Sequence, residues 1–85
     1  MHELERERLL TRVFAARDRL EVLVEQTSNP ELVHLIREAD AVAAALEAEC
    51  HLAPAVTPSL HERIAQQAEV VDQLAVYVGQ PSETG

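Results

Sequence analysis

Between Pro30 and Cys50 the chain reads PELVHLIREADAVAAALEAEC, and this stretch narrows the possible folds more than any other. Leu32, Leu35, Ile36, Ala39, Val42, Ala43, Leu46 and Cys50 recur at helical spacing, which lays one apolar stripe along an α-helix. Pro30 opens the stretch: its φ already suits a first helical turn, and its missing N–H would have had no partner there. Either Asn29 caps this helix, or Ser28 does so with Glu31 closing a capping box. A helix is predicted over about 30–51.

The other side of that helix is unusual. Val33, Ala41, Ala44, Ala45 and Ala48 lie off the stripe, where a surface helix ordinarily carries charge. A helix apolar nearly all round is ordinarily covered from more than one direction. Alanine is also the strongest helix former, and it is small enough to sit in water without driving association.

Two further helices are predicted. Over about 3–26, Leu9, Val13, Ala16, Leu20 and Leu23 follow the alternating four-and-three spacing of a coiled-coil seam, widened by Leu10, Phe14 and Val24. Glu3, Glu5 and Glu7 sit at the positive end of the dipole, and Glu3–Arg6 and Glu5–Arg8 are spaced for pairing along the helix. Its first two turns, with Leu4 alone apolar, are expected to project beyond the rest. Thr27-Ser28-Asn29 is short enough to imply an antiparallel hairpin.

Leu52–Thr57 contains one proline and leads into another. An extended link is predicted, with Leu52 and Val56 tucked over the end of the helices. Thr57 caps and Pro58 opens the third helix, over about 58–78. There Leu60, Ile64, Gln67, Val71, Leu74 and Val78 repeat the seam, with Ala68 and Ala75 beside it. Gln67 interrupts the seam. An edge position with the amide in water is expected; the other reading is a polar core residue that fixes register. Gly79 is expected just past the helix as its C′ residue, with Pro81 after it and 80–85 a disordered tail.

The expected fold is therefore all-α: an antiparallel three-helix bundle forming a single domain over 1–79, or a hairpin plus third helix completed by dimerisation. The core is light, for among 85 residues there are one Phe, one Tyr and no Trp. Apolar burial in so small a chain barely offsets the entropy of ordering it, so some extra support is expected. One Cys excludes an internal disulfide. Regular packing and a homodimer or higher oligomer are the expected supports.

The net charge of −8 is unevenly spread: residues 1–37 hold six Arg and seven acids, residues 38–85 one Arg and eight acids. No basic stripe exists to neutralise phosphates, which argues against nucleic acid and against anionic membrane surfaces. A protein with a basic surface or a basic amphipathic helix is the natural partner. All seven cations are Arg, a bias that fits a GC-rich bacterial genome. No apolar run approaches a membrane span, and Met1-His2-Glu3 opens no signal peptide. A lone thiol fits a reducing compartment, so a cytoplasmic location is expected.

No catalytic motif is present, and no enzymatic activity is expected. The glycines lie only near the end of the chain, and Ser28, Ser59 and Ser82 sit at caps or in the tail. One constellation has metal-binding chemistry. In an up-down-up bundle, the end of the second helix meets the starts of the other two, gathering His2, Cys50, His51 and His61 near Glu47, Glu49 and Glu62. His51, His61 and Cys50 are the candidate ligands for zinc or another transition metal, which takes about four such groups at roughly 2.0–2.3 Å. Glu47 and Glu49 also sit at the negative end of the helix with no cation beside them in sequence, and a cation would relieve that. Against this, Cys50 lies on the core stripe, and the spacing matches no known zinc signature.

Three functions are expected, in order. The first is a non-enzymatic interaction module — an adaptor, chaperone or regulator holding a partner helix or self-associating — with Val33, Ala41, Ala44, Ala48, Val70 and Tyr77 bordering its binding surface. The second is a metal-binding or sensing bundle using the His/Cys end. The third is an acidic nucleic-acid mimic, disfavoured because the acids scatter round the helices instead of tracing a phosphate path.

Overall fold

A computed structural model describes residues 2–80, with side chains from Leu4 onward. It contains three helices, α1 (His2–Gln26), α2 (Pro30–Leu52) and α3 (Pro58–Gly79). Each packs against both others, giving the expected three-helix bundle, a rod of 54 × 17 × 16 Å. The chain runs up, down and up, so α1 and α3 are parallel and α2 opposes both. No described helix is long and apolar enough to cross a membrane. Of the tail expected over 80–85, all but Gln80 lies outside the described residues.

The helix ends follow local chemistry. Asn29, not Ser28, caps α2: its Oδ1 accepts from the Glu31 N–H at 2.9 Å. Thr57 caps α3 by accepting from the Leu60 N–H at 3.2 Å. Gly79 departs from expectation. It is the last residue of α3, and its φ is not positive. Gln80 leaves in an extended conformation, its N–H bonding to the Tyr77 carbonyl at 3.3 Å, so the left-handed exit that favours glycine is not used.

The core divides along the rod into two clusters. Leu9, Val13, Ala43, Leu46, Cys50, Leu60 and Ile64 fill one half. Ala16, Leu20, Leu23, Ile36, Ala39, Val71 and Leu74 fill the other. Every seam position of α1 is thus buried. In α2 the buried stripe is narrower than predicted. Leu35 is 47% and Val42 52% exposed, and Leu32 is half-buried. The periodicity places all three near one face, but only two neighbours cover that face, and both cannot reach its edge. Phe14, predicted to widen the α1 stripe, is likewise exposed at 45%.

Two other expectations change. Leu52 lies open to solvent while Val56 packs on the first cluster. Gln67 is buried, and its Nε2 donates to the Ala39 carbonyl at 2.8 Å. That oxygen also takes its ordinary helix bond, and a carbonyl has lone pairs for both. No buried side-chain nitrogen or oxygen among the described residues lacks a partner. Gln67 is therefore a polar pin between α2 and α3, not an edge residue. Gln67→Leu is expected to leave stability within about 1 kcal/mol of wild type, because the Ala39 carbonyl keeps its helix bond and the new side chain is apolar. The check is urea unfolding, and a loss of 3 kcal/mol or more would show the amide bond to be indispensable.

Candidate docking face

Ion pairs between helices define the flanks of α2. Toward α1, Arg17 donates from Nε to Asp40 Oδ1 and from a terminal nitrogen to Glu47 Oε1, both at 3.0 Å. These two carboxylates hold the Arg17 pKa above its ordinary value, Asp40 through its hydrogen bond most of all. Toward α3, Glu49 pairs with Arg63 at 2.7 Å. On the remaining side, α1 meets α3 through Arg19–Asp72 and through Glu5–His61, the latter at 2.6 Å.

This register sorts the six residues expected to border one surface. Val33 and Ala44 share the flank of Asp40 and Glu47, and both are half-buried on the α1 side. Ala41 lines a groove of about 630 Å³ between α1 and α2, beside Leu20, Val24 and Arg37. Ala48 is exposed on the same side, one turn beyond Ala44. Val70 and Tyr77 instead continue the heptad line of Arg63 and so lie on the α3 flank that faces α2. The structure brings together Val70 with Tyr77 and Val33 with Ala44, but places the two sets on opposite sides of α2.

The α2 residues beside Val70 and Tyr77 are ones that periodicity assigns to the core. Seven residues back from Glu49 along α2 stands Val42, and seven further back Leu35. Seven residues on from Arg63 along α3 stands Val70, and seven further Tyr77. The Glu49–Arg63 pair shows that these two lines flank the same α2/α3 groove, running antiparallel along it. Val70 is 42% and Tyr77 52% exposed, so all four apolar members of this ladder are about half out of the bundle. The signal was in the sequence as two matching heptad lines, but it needs one known cross-helix pair to align them.

The His/Cys end is differently built from the metal site considered above. Cys50 is buried, and burial pushes its thiol pKa up, with nearby Arg6 opposing. Its S–H donates to the Arg6 carbonyl at 3.9 Å. His61 faces Glu5 on α1, and His51 is exposed. The side chain of His2 lies outside the described residues. Among the described residues no group of three or more His, Cys, Asp or Glu could hold a metal ion.

The unrelieved negative end expected for α2 is also corrected. Arg6 of α1 donates to the carbonyls of Cys50 and, at 2.7 Å, Ala53. Arg17 holds Glu47, and Arg63 holds Glu49. Three cations distant in sequence converge there, which no local reading of α2 could show. Arg6 is thereby engaged with α2, and Glu5 turns to His61 instead of Arg8, so the second turn of α1 is part of the bundle. Compared with known protein families, curated proteins and solved structures, the chain matches none.

Proposed function

We propose that this protein is a non-enzymatic protein–protein interaction module, an adaptor, chaperone or regulator, whose docking face is the outer groove between α2 and α3. One observation carries the reading: Leu35, Val42, Val70 and Tyr77 form a two-helix apolar ladder at heptad spacing, each 42–52% exposed. Such a ladder on a bundle face is the half of a helix–helix seam that a further helix completes. Scattered apolar side chains on a surface need no explanation, but two lines of them flanking one groove do. Glu38, Glu62 and Glu69 are exposed on the outer sides of these helices, and the chain's net charge is −8. A helix with basic flanks is thus favoured over an acidic one.

The test uses a labelled synthetic helix of about five turns with Leu at its a and d positions and Lys on its flanks. Saturable binding in the micromolar range is expected by fluorescence anisotropy, with a scrambled peptide as control. Val42→Asp and Tyr77→Asp are each expected to weaken it at least tenfold while the helical circular dichroism is retained. Binding that ignores both substitutions would remove this face from consideration.

A further inference from the structure

The sign of the surface charge changes in the groove between the first turns of α1 and α3. The chain as a whole carries −8, and the α1/α2 groove follows that balance, with four carboxylates against Arg17 and Arg37. The α1/α3 groove inverts it. Its volume is about 500 Å³, and Leu4, Glu5, Arg8, Leu9, Arg12 and His61 line it. Glu5 is the one carboxylate in that lining, and His61 already holds it at 2.6 Å.

Arg8 and Arg12 are the uncompensated charges of this groove. Arg6, Arg17, Arg19 and Arg63 each bond a carbonyl or a carboxylate. Among the described residues neither Arg8 nor Arg12 has such a partner, and both are exposed. They stand one turn apart on α1, which puts their Cβ atoms about 5–6 Å from each other, where like charges repel. An anion between them reverses that repulsion.

The form of the cations selects the anion. Each guanidinium is a planar fork that grips two oxygens at once. A carboxylate has two oxygens and one charge, enough for one fork. A phosphate monoester has three terminal oxygens and a charge of about −1.5 to −2, enough for both. The groove has the volume of roughly 15 waters of the liquid, several times what a phosphate group fills. Leu4, 56% exposed, offers the remaining space an apolar wall. Two cations suit one phosphate group, not the run of phosphates along a nucleic acid.

We infer that the α1/α3 groove binds a phosphate monoester dianion, with Arg8 and Arg12 on the phosphate and Leu4 against its organic group. Glu5 opposes this binding, and its bond to His61 draws it away from Arg8, three residues along the same helix. The site is separate from the α2/α3 face and does not depend on it.

The probe is phenyl phosphate, titrated into the labelled full chain at low salt and about pH 7.5, where the monoester is a dianion. Saturating amide shifts in two-dimensional NMR are expected over residues 4–12 and around His61, with a Kd on the order of 1 mM. Phenyl sulfate has the same three oxygens with one charge, and benzoate has two oxygens. Each should bind about tenfold more weakly. Arg8→Gln and Arg12→Gln should each cost about tenfold, the worth of a charge-assisted bond. Arg37→Gln removes an arginine from the acid-lined groove and should change binding less than about twofold. Glu5→Gln should tighten binding by about threefold, a gain that loss of structure cannot produce. The substituted side chains are exposed, so the fold is kept, which circular dichroism checks.

A phosphoserine peptide run in parallel distinguishes the source of the group. Binding at least tenfold tighter than phenyl phosphate assigns it to a phosphorylated protein, and equal or weaker binding to a small organic phosphate. Shifts that do not saturate by about 20 mM overturn the inference. So does phenyl sulfate binding as tightly as the phosphate, indifference to Arg8→Gln and Arg12→Gln, an equal loss with Arg37→Gln, or weaker binding with Glu5→Gln.

Discussion

Leu20→Ala is expected to lower the unfolding free energy by about 3 kcal/mol, within the 2–5 kcal/mol seen for buried leucine truncations. Leu20 is 1% exposed and packs where all three helices meet, against Ile36, Ala39, Val71 and Leu74 among others. Removing its isobutyl group forfeits the transfer term and leaves a void. The neighbours are held on three rigid rods and cannot collapse into it. A domain of this length has a total stability on the order of 4–13 kcal/mol, so one substitution takes a large share. The melting temperature should fall by roughly 10 °C or more.

Leu52→Ala supplies the control with identical chemistry. Leu52 is 82% exposed, and its truncation should change stability by no more than about 0.5 kcal/mol. Both are measured by urea unfolding. If the two substitutions cost the same, the core is not where the structure puts it.

Arg6→Met is expected to cost about 1.5–3 kcal/mol, the range for hydrogen bonds to a charged group. Arg6 is half-buried, and its guanidinium spans two carbonyls at the C-terminal end of α2, those of Cys50 and Ala53. These belong to the groups a helix end leaves without partners, and they carry the negative end of its dipole. Methionine keeps much of the aliphatic stem but donates nothing. Arg6→Lys should recover only part of the loss: both bonds come from one nitrogen, Nη1, which an ammonium can imitate, but the lysine nitrogen sits one bond closer to the backbone and does not reach as far. The readout is again urea unfolding, joined by amide hydrogen exchange. Protection should fall first in the last turn of α2 and the link to α3. Uniform loss along all three helices would instead assign Arg6 a global packing role. A cost below 0.5 kcal/mol would show that water serves these carbonyls as well.

Much of the architecture was legible in local chemistry. Pro30 and Pro58 mark helix starts because a prolyl φ is already helical, and Asn29 and Thr57 precede them as caps. The alternating spacing of Leu9, Val13, Ala16, Leu20 and Leu23 requires one apolar face whatever that face meets, and all five are buried. The short Thr27-Ser28-Asn29 link leaves two helices little choice but to turn back on each other.

What local chemistry could not decide is which part of a wide stripe its neighbours would reach. Leu35 and Val42 have the same periodicity as Ile36 and Ala43, yet half of each is exposed while Ile36 is 1% and Ala43 0% exposed. The difference is a matter of angle around α2, set by where α1 and α3 lie. Gln67 shows the reverse: its amide is polar by composition and buried by position, because the Ala39 carbonyl on another helix meets it.

Long-range electrostatics were equally hidden. Glu47 and Glu49 have no cation near them in sequence, and Arg6, Arg17 and Arg63 come from elsewhere in the chain. Side-chain spacing along one helix determines what that helix needs covered or neutralised. The relative placement of three helices determines which of those needs is met within one copy. The groove flanked by Leu35, Val42, Val70 and Tyr77 is where the bundle's own geometry leaves the need open.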